Sequence, residues 1–251
     1  MRFHFLPLVF ITTVASAQPR VIHVVVALCD NQYQGIVKVP AGIGNGQKPG
    51  TNLYWGAGYG VKTHFDRSAE WIRVVCPKPG TAHILDRAVW KHKDSAVYMI
   101  ADAYDGRNIR EATEDLLRYA SGARPERIVL NGQTLSAGGN ADLIAYVGHD
   151  GLMDFTLEKE FPATNAEERQ TIILACISKK YFSPALRMTG ASPLVWTTGL
   201  MAPEAYTLKA AFNGWVAHET DEAIRERAAK AYDQYQHCGI NGARRLLVSG
   251  W

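Results

Sequence analysis

Two residues stand where an α/β protein keeps its reactive groups. Residues 141–147 (A-D-L-I-A-Y-V) lead through Gly148 into His149, and residues 171–175 (T-I-I-L-A) lead straight into Cys176. Short apolar runs of this kind predict buried strands, and in open α/β sheets ligands bind outside the carboxyl ends of the strands. Parallel neighbouring strands lie about 4.8 Å apart, so both side chains would open into one crevice. An imidazole beside a thiol favours the thiolate, the form that attacks a carbonyl carbon. Backbone N–H groups of the turn formed by Gly148, Asp150 and Gly151, with that of Cys176, would hold the oxyanion. Each residue also has an ordinary alternative: a cysteine after a buried strand is a small hydrophobe, and a lone strand-end histidine is a hydrogen-bonded structural group. Their order and placement together favour the chemical reading.

Other chemistry has weaker support. Asp30, Asp102 and Asp105 follow predicted strand ends and are expected to face the same crevice, where they would orient His149 or shape the pocket. No G-x-S-x-G elbow is present, and His218-Glu219 lacks the second histidine of a zinc-protease helix. His64, His83, His92 and His237 show no ligand spacing. Cys29, Cys76, Cys176 and Cys238 include no C-x-x-C pair, so neither a metal site nor a cofactor is expected. Gly42, Gly44 and Gly46 lack the Lys-Ser/Thr of a phosphate loop and read as a mobile loop.

The elements that must position this pair read as alternating strands and helices. Residues 21–28 (V-I-H-V-V-V-A-L) and 96–101 (A-V-Y-M-I-A) are β-branched or apolar runs suited to strands buried on both faces. Residues 194–198 add a further strand. Residues 108–120 carry apolar side chains at helical spacing, with Gly122 placed to end the helix. Residues 53–65, 165–169 and 220–235 are also expected to be helical, with Gly56, Gly58 and Gly60 permitting close packing or a broken start in the first. Alternation of this kind predicts a mainly parallel sheet with helices on both faces, in one domain spanning residues 18–251.

Residues 1–17 are read separately. Arg2, the apolar run 3–14 and Ala15-Ser16-Ala17 form a secretory signal cleaved after Ala17, which predicts a secreted or periplasmic protein starting at Gln18. The apolar run is short for a bilayer span, and no integral membrane segment is expected after cleavage. In an oxidising compartment the four cysteines allow two disulfides in three connectivities, or leave one thiol free for chemistry. Hydrophobic residues make up 47% and charged residues 20% of the chain, which excludes a disordered polymer. The 27 basic and 24 acidic residues are dispersed, so no nucleic-acid groove is expected.

The segments L-I-A-Y-V-Gly148-His149 and I-I-L-Ala175-Cys176 resemble, in kind and order, those of the caspase–hemoglobinase cysteine peptidases, a group that includes caspases, legumains and gingipains. The resemblance implies a caspase-like three-layer α/β sandwich and hydrolysis of a peptide or protein substrate. Cys176 would be the nucleophile, and His149 the acid that protonates the leaving amine. The stretch from Trp196 through Glu204 to Tyr206 looks like the strand and wall of the primary specificity pocket in legumain-like members. It implies substrate contacts at Trp196, Glu204 and Tyr206, and Glu204 facing the pocket would favour a basic or amide side chain. The chain departs from the pattern in two places. Asp150 replaces the glycine after the histidine, and Ile177-Ser178-Lys179-Lys180 replaces a small Ser-Gly pair, with either lysine placed to lower the thiol pKa or to lie in solvent. The alternative reading is a catalytically inactive caspase-like protein of the cell envelope that binds a partner through the same crevice.

Overall fold

A computed structural model describes residues 18–251. The predicted signal segment and its cleavage point after Ala17 lie outside the described residues. Ten strands are described: β1 (Arg20–Ala27), β2 (Trp71–Val74), β3 (Ile84–His92), β4 (Val97–Tyr104), β5 (Pro125–Leu130), β6 (Gln133–Gly138), β7 (Leu143–Val147), β8 (Gln170–Leu174), β9 (Ser192–Thr197) and β10 (Leu247–Val248). Eight form one sheet in the order β10-β9-β8-β7-β1-β4-β3-β2, and β5 and β6 form a separate hairpin. The five central strands from β9 to β4 are parallel, while β10, β3 and β2 add antiparallel edges.

The helices are α1 (Val61–Asp66), α2 (Ile109–Ala120), α3 (Ser178–Thr189), α4 (Ala205–Val216), α5 (Asp221–Gln236) and α6 (Ile240–Leu246). Side chains alternate between the two faces of a strand, so β1 supplies two cores at once. Ile22, Val24 and Val26 pack with residues of α1, α4, α5 and α6. Val21, Val25 and Ala27 pack on the other side with α2, α3 and the β5–β6 hairpin. A near-continuous apolar strand is what burial on both faces requires, and the result is a three-layer α/β sandwich. Among the described residues, no helix is long and apolar enough to cross a membrane.

Several local expectations need correction. The helix expected over 53–65 starts only at Val61, because residues 53–60 coil too tightly. A Cβ at Gly56 would strike the Gly50 carbonyl, and one at Gly60 would strike the Trp55 backbone. Residues 165–169 are not helical; the buried Arg169 guanidinium reaches Gly139 O at 2.7 Å and Asn165 Oδ1 at 2.9 Å, which holds the segment open. The glycine loop at 42–46 is packed in place, with Asn31 N–H donating to Gly44 O and Gly106 N–H to Gly46 O. Asp102 lies inside β4, completely buried, rather than in a loop facing the crevice. It pairs with Arg87 at 2.5 Å and with His23 Nε2 at 3.1 Å. Burial alone would raise the Asp102 carboxyl, but the hydrogen bonds and charge of Arg87, together with His23, hold it below the ordinary value.

Candidate active site

The parallel register aligns Val147 of β7 with Leu174 of β8. His149 and Cys176 each sit two residues beyond those partners, so they occupy matched positions past neighbouring strand ends. Both line one cavity of about 390 Å³, together with Gly35, Ile36, Val37, Tyr54, Met153, Leu200, Met201 and Pro203. The crevice expected at this sheet edge is therefore present.

His149 is held by the backbone on either side of it. Gly148 has φ +153°, and a Cβ there would press on the Ala27 carbonyl oxygen and Cβ of β1. Its own N–H donates to Leu174 O at 3.2 Å, so it shapes the turn and offers no donor to a ligand. Tyr146 Oη donates to the His149 carbonyl at 2.8 Å, which fixes the backbone from below. Asp150 caps a single 3-10 turn, Gly151–Met153, by accepting from Leu152 N–H at 3.0 Å. That turn brings the Asp154 carboxylate back to His149 Nε2 at 2.8 Å. The same Asp154 oxygen accepts from Gly35 N–H at 2.9 Å. A Cβ on Gly35 would collide with this carboxylate, so the loop after β1 approaches it only through a glycine. With Nε2 engaged, Nδ1 is the ring nitrogen left without a partner among the described residues.

Asp150 resolves the first departure from the peptidase pattern. Its φ of −76° is open to any residue, so glycine is not required after the histidine. Its carboxyl is fully buried and one oxygen, Oδ2, has no partner among the described residues. Burial pushes the carboxyl up to about 7; Leu152 N–H opposes the rise, and the neighbouring Asp154 charge adds to it. Among the described residues, the backbone N–H groups of Asp150 and Cys176 bond to no acceptor; Cys176 lines the cavity and Asp150 does not.

Cys176 is set by a strained corner. Ile177 has φ +53°, a left-handed conformation unusual for a β-branched residue, and such outliers cluster at functional sites. Several bonds impose it: Ile177 N–H donates to Gly199 O at 2.8 Å, Ser178 N–H to Thr197 Oγ1 at 3.1 Å, and Ser178 Oγ to Ile173 O at 2.9 Å. The sulfur lies against Met201, accepting from its N–H at 3.4 Å and donating to its carbonyl at 3.6 Å. Lys179 and Lys180 instead sit over the rings of Trp196 and Tyr181. All four cysteines are free thiols, so Cys176 is not tied in a disulfide. Burial pushes the Cys29 thiol up to about 11, which leaves it chemically quiet.

The stretch from Trp196 to Tyr206 does line the cavity, but through Leu200, Met201 and Pro203 rather than through the three residues expected. Trp196 is a core residue whose Nε1–H donates to Gly250 O. Glu204 accepts from Tyr206 Oη at 2.9 Å, and the Tyr206 ring stacks on Tyr235 with centroids 4.1 Å apart. None of the three lines the His149–Cys176 cavity. Asp30 and Asp105 also stand outside its lining; both accept from Gln47 Nε2 and tie two loops together. The acid that reaches His149 is Asp154, which the sequence reading missed. Its only linear signal is its place five residues after the histidine, behind an Asp-Gly turn start. Among the described residues, no group of three or more His, Cys, Asp or Glu side chains is arranged to hold a metal ion. Comparison of the chain with models of known protein families, with curated proteins and with solved structures found no match in any of the three.

Proposed function

We propose that the protein is an exported, caspase-like cysteine peptidase that hydrolyses peptide bonds through Cys176 and His149. One observation carries the reading: the thiol and the imidazole stand at matched positions beyond adjacent parallel strands and line the same cavity. Asp154 adds the third group that such pairs use to fix the imidazole tautomer. With Nε2–H donating to Asp154, His149 Nδ1 takes the Cys176 proton. The thiolate attacks the substrate carbonyl carbon, and the carbonyl electrons move onto oxygen, where the Cys176 amide stabilises them. Collapse of this intermediate breaks the C–N bond as His149 gives its proton to the leaving amine. The resulting thioester is hydrolysed by water, which passes its proton to His149 and restores the thiol. The supporting experiment is alkylation of the native protein by iodoacetamide, followed by mass spectrometry of each cysteine. Cys176 should react at least tenfold faster in the natural protein than in His149→Ala. Equal rates, or an inert Cys176, would remove the peptidase reading and favour a binding protein built on the same crevice.

A further inference from the structure

The walls beside the reacting pair are apolar on both sides. Met201 holds the sulfur through its backbone, so Leu200, Met201 and Pro203 form the wall next to Cys176. Met153, Ile36 and Val37 form the wall next to His149, where Gly35 meets Asp154. Among the described residues, the only ionisable side chains lining the cavity are His149, Cys176 and Tyr54. Three of the apolar side chains are left in water at the rim: Val37 is 92% exposed, Leu200 71% and Met153 38%.

We infer that the substrate presents a large uncharged apolar side chain, of the Leu or Phe type, on the residue whose carbonyl carbon Cys176 attacks. The inference rests on the proposed peptidase reading and adds the substrate class to it. The acyl carbon bonds to the sulfur, and the lining beside the sulfur that its side chain would meet is Leu200, Met201 and Pro203. An apolar side chain there releases water from the exposed rim. A carboxylate, ammonium or guanidinium would lose hydration against a wall that offers no opposite charge. Glu204, the acid that would have paired with a basic side chain, is bound to Tyr206 outside the cavity. About 390 Å³ is room for one large side chain and its flanking backbone.

The test uses peptidyl acyloxymethyl ketones that differ only in the acyl-side residue: Leu, Phe, Asp, Asn or Lys. The thiolate displaces the probe's carboxylate, forming a C–S bond and breaking a C–O bond, and intact-mass spectrometry reads the rate. The Leu and Phe probes should label Cys176 at least tenfold faster than the others. Leu200→Asp, at an exposed rim position, should slow the apolar probes about tenfold and speed the Lys probe. Labelling by the Asp, Asn or Lys probe as fast as by Leu and Phe would overturn the inference. If iodoacetamide still reacts with Cys176 in a His149-dependent way, that failure touches specificity alone. If the His149 dependence is absent, the peptidase reading has failed and the specificity inference falls with it.

Discussion

Replacing Asp150 by Asn should remove a pH dependence that weakens the natural fold near neutrality. The Asp150 carboxyl is fully buried, one of its oxygens has no partner among the described residues, and burial lifts it from an ordinary 3.8 to about 7. Between those values the folded chain keeps a proton that the unfolded chain has lost, so stability falls as pH rises through this window. Above about 7 the carboxylate is ionised in both states and the loss is complete. At 1.36 kcal/mol per pH unit the full effect is about 4 kcal/mol, of which about 2–3 kcal/mol falls between pH 5 and pH 8. The carboxamide keeps an acceptor for Leu152 N–H and cannot ionise. Urea unfolding at pH 5 and pH 8 measures the difference. The natural protein should lose about 2–3 kcal/mol more than Asp150→Asn, which corresponds to about 5–10 °C in Tm for a chain of this size. Parallel pH dependences would refute the reasoning, because the buried carboxyl would then be ionised and partnered.

Three further outcomes follow from the same contacts. Asp154→Ala should lower kcat for peptide cleavage about 100-fold with little change in KM, since it misplaces His149 rather than the substrate; Asp154→Glu should restore part of the rate if positioning is the cause. Gly35→Ala should lower kcat in the same direction, about tenfold, because its Cβ displaces the Asp154 carboxylate, and circular dichroism should show the fold intact. Asp102→Asn should cost about 3 kcal/mol in urea unfolding at pH 7, because it leaves the buried Arg87 charge with only the more distant Glu126 carboxylate, at 3.4 Å. The Asp102 carboxyl is held below its ordinary value, so its contribution is present above about pH 4 and is lost as pH falls through the folded-state value.

The strands that carry the site are plain in the sequence because burial on both faces fills β1, β7 and β8 mostly with Val, Ile, Leu and Ala, interrupted by Arg20, His23, Tyr146, Gln170 and Thr171. Other elements hide for physical reasons. In α3, Pro184 sits inside the helix and masks it. In α4 eight of twelve residues are buried and the other four only partly exposed, so no apolar stripe stands out. The β5–β6 hairpin turns on Asn131-Gly132, both at positive φ, which is the strongest short hairpin signal a sequence can give, and it went unread. His149 and Cys176 were legible from the strand ends they follow. Asp154 was not, because its approach depends on the 3-10 turn and on the missing Cβ of Gly35. Of the apolar lining, Leu200, Met201 and Pro203 fall in the stretch read as a wall, whereas Ile36, Val37 and Met153 were hidden, since they reach the cavity from two other loops.

The most direct measurement is cleavage of a mixed peptide library by the natural protein and by Cys176→Ala, with products read by mass spectrometry. The variant removes one sulfur at a strand end, so its unfolding free energy should change by about 1 kcal/mol, while cleavage should fall by orders of magnitude because the covalent route needs the thiolate. His149→Ala should be nearly as damaging, and the double variant barely worse than either, as expected of groups that act as one unit. Cleavage by purified Cys176→Ala at the natural rate would contradict the account.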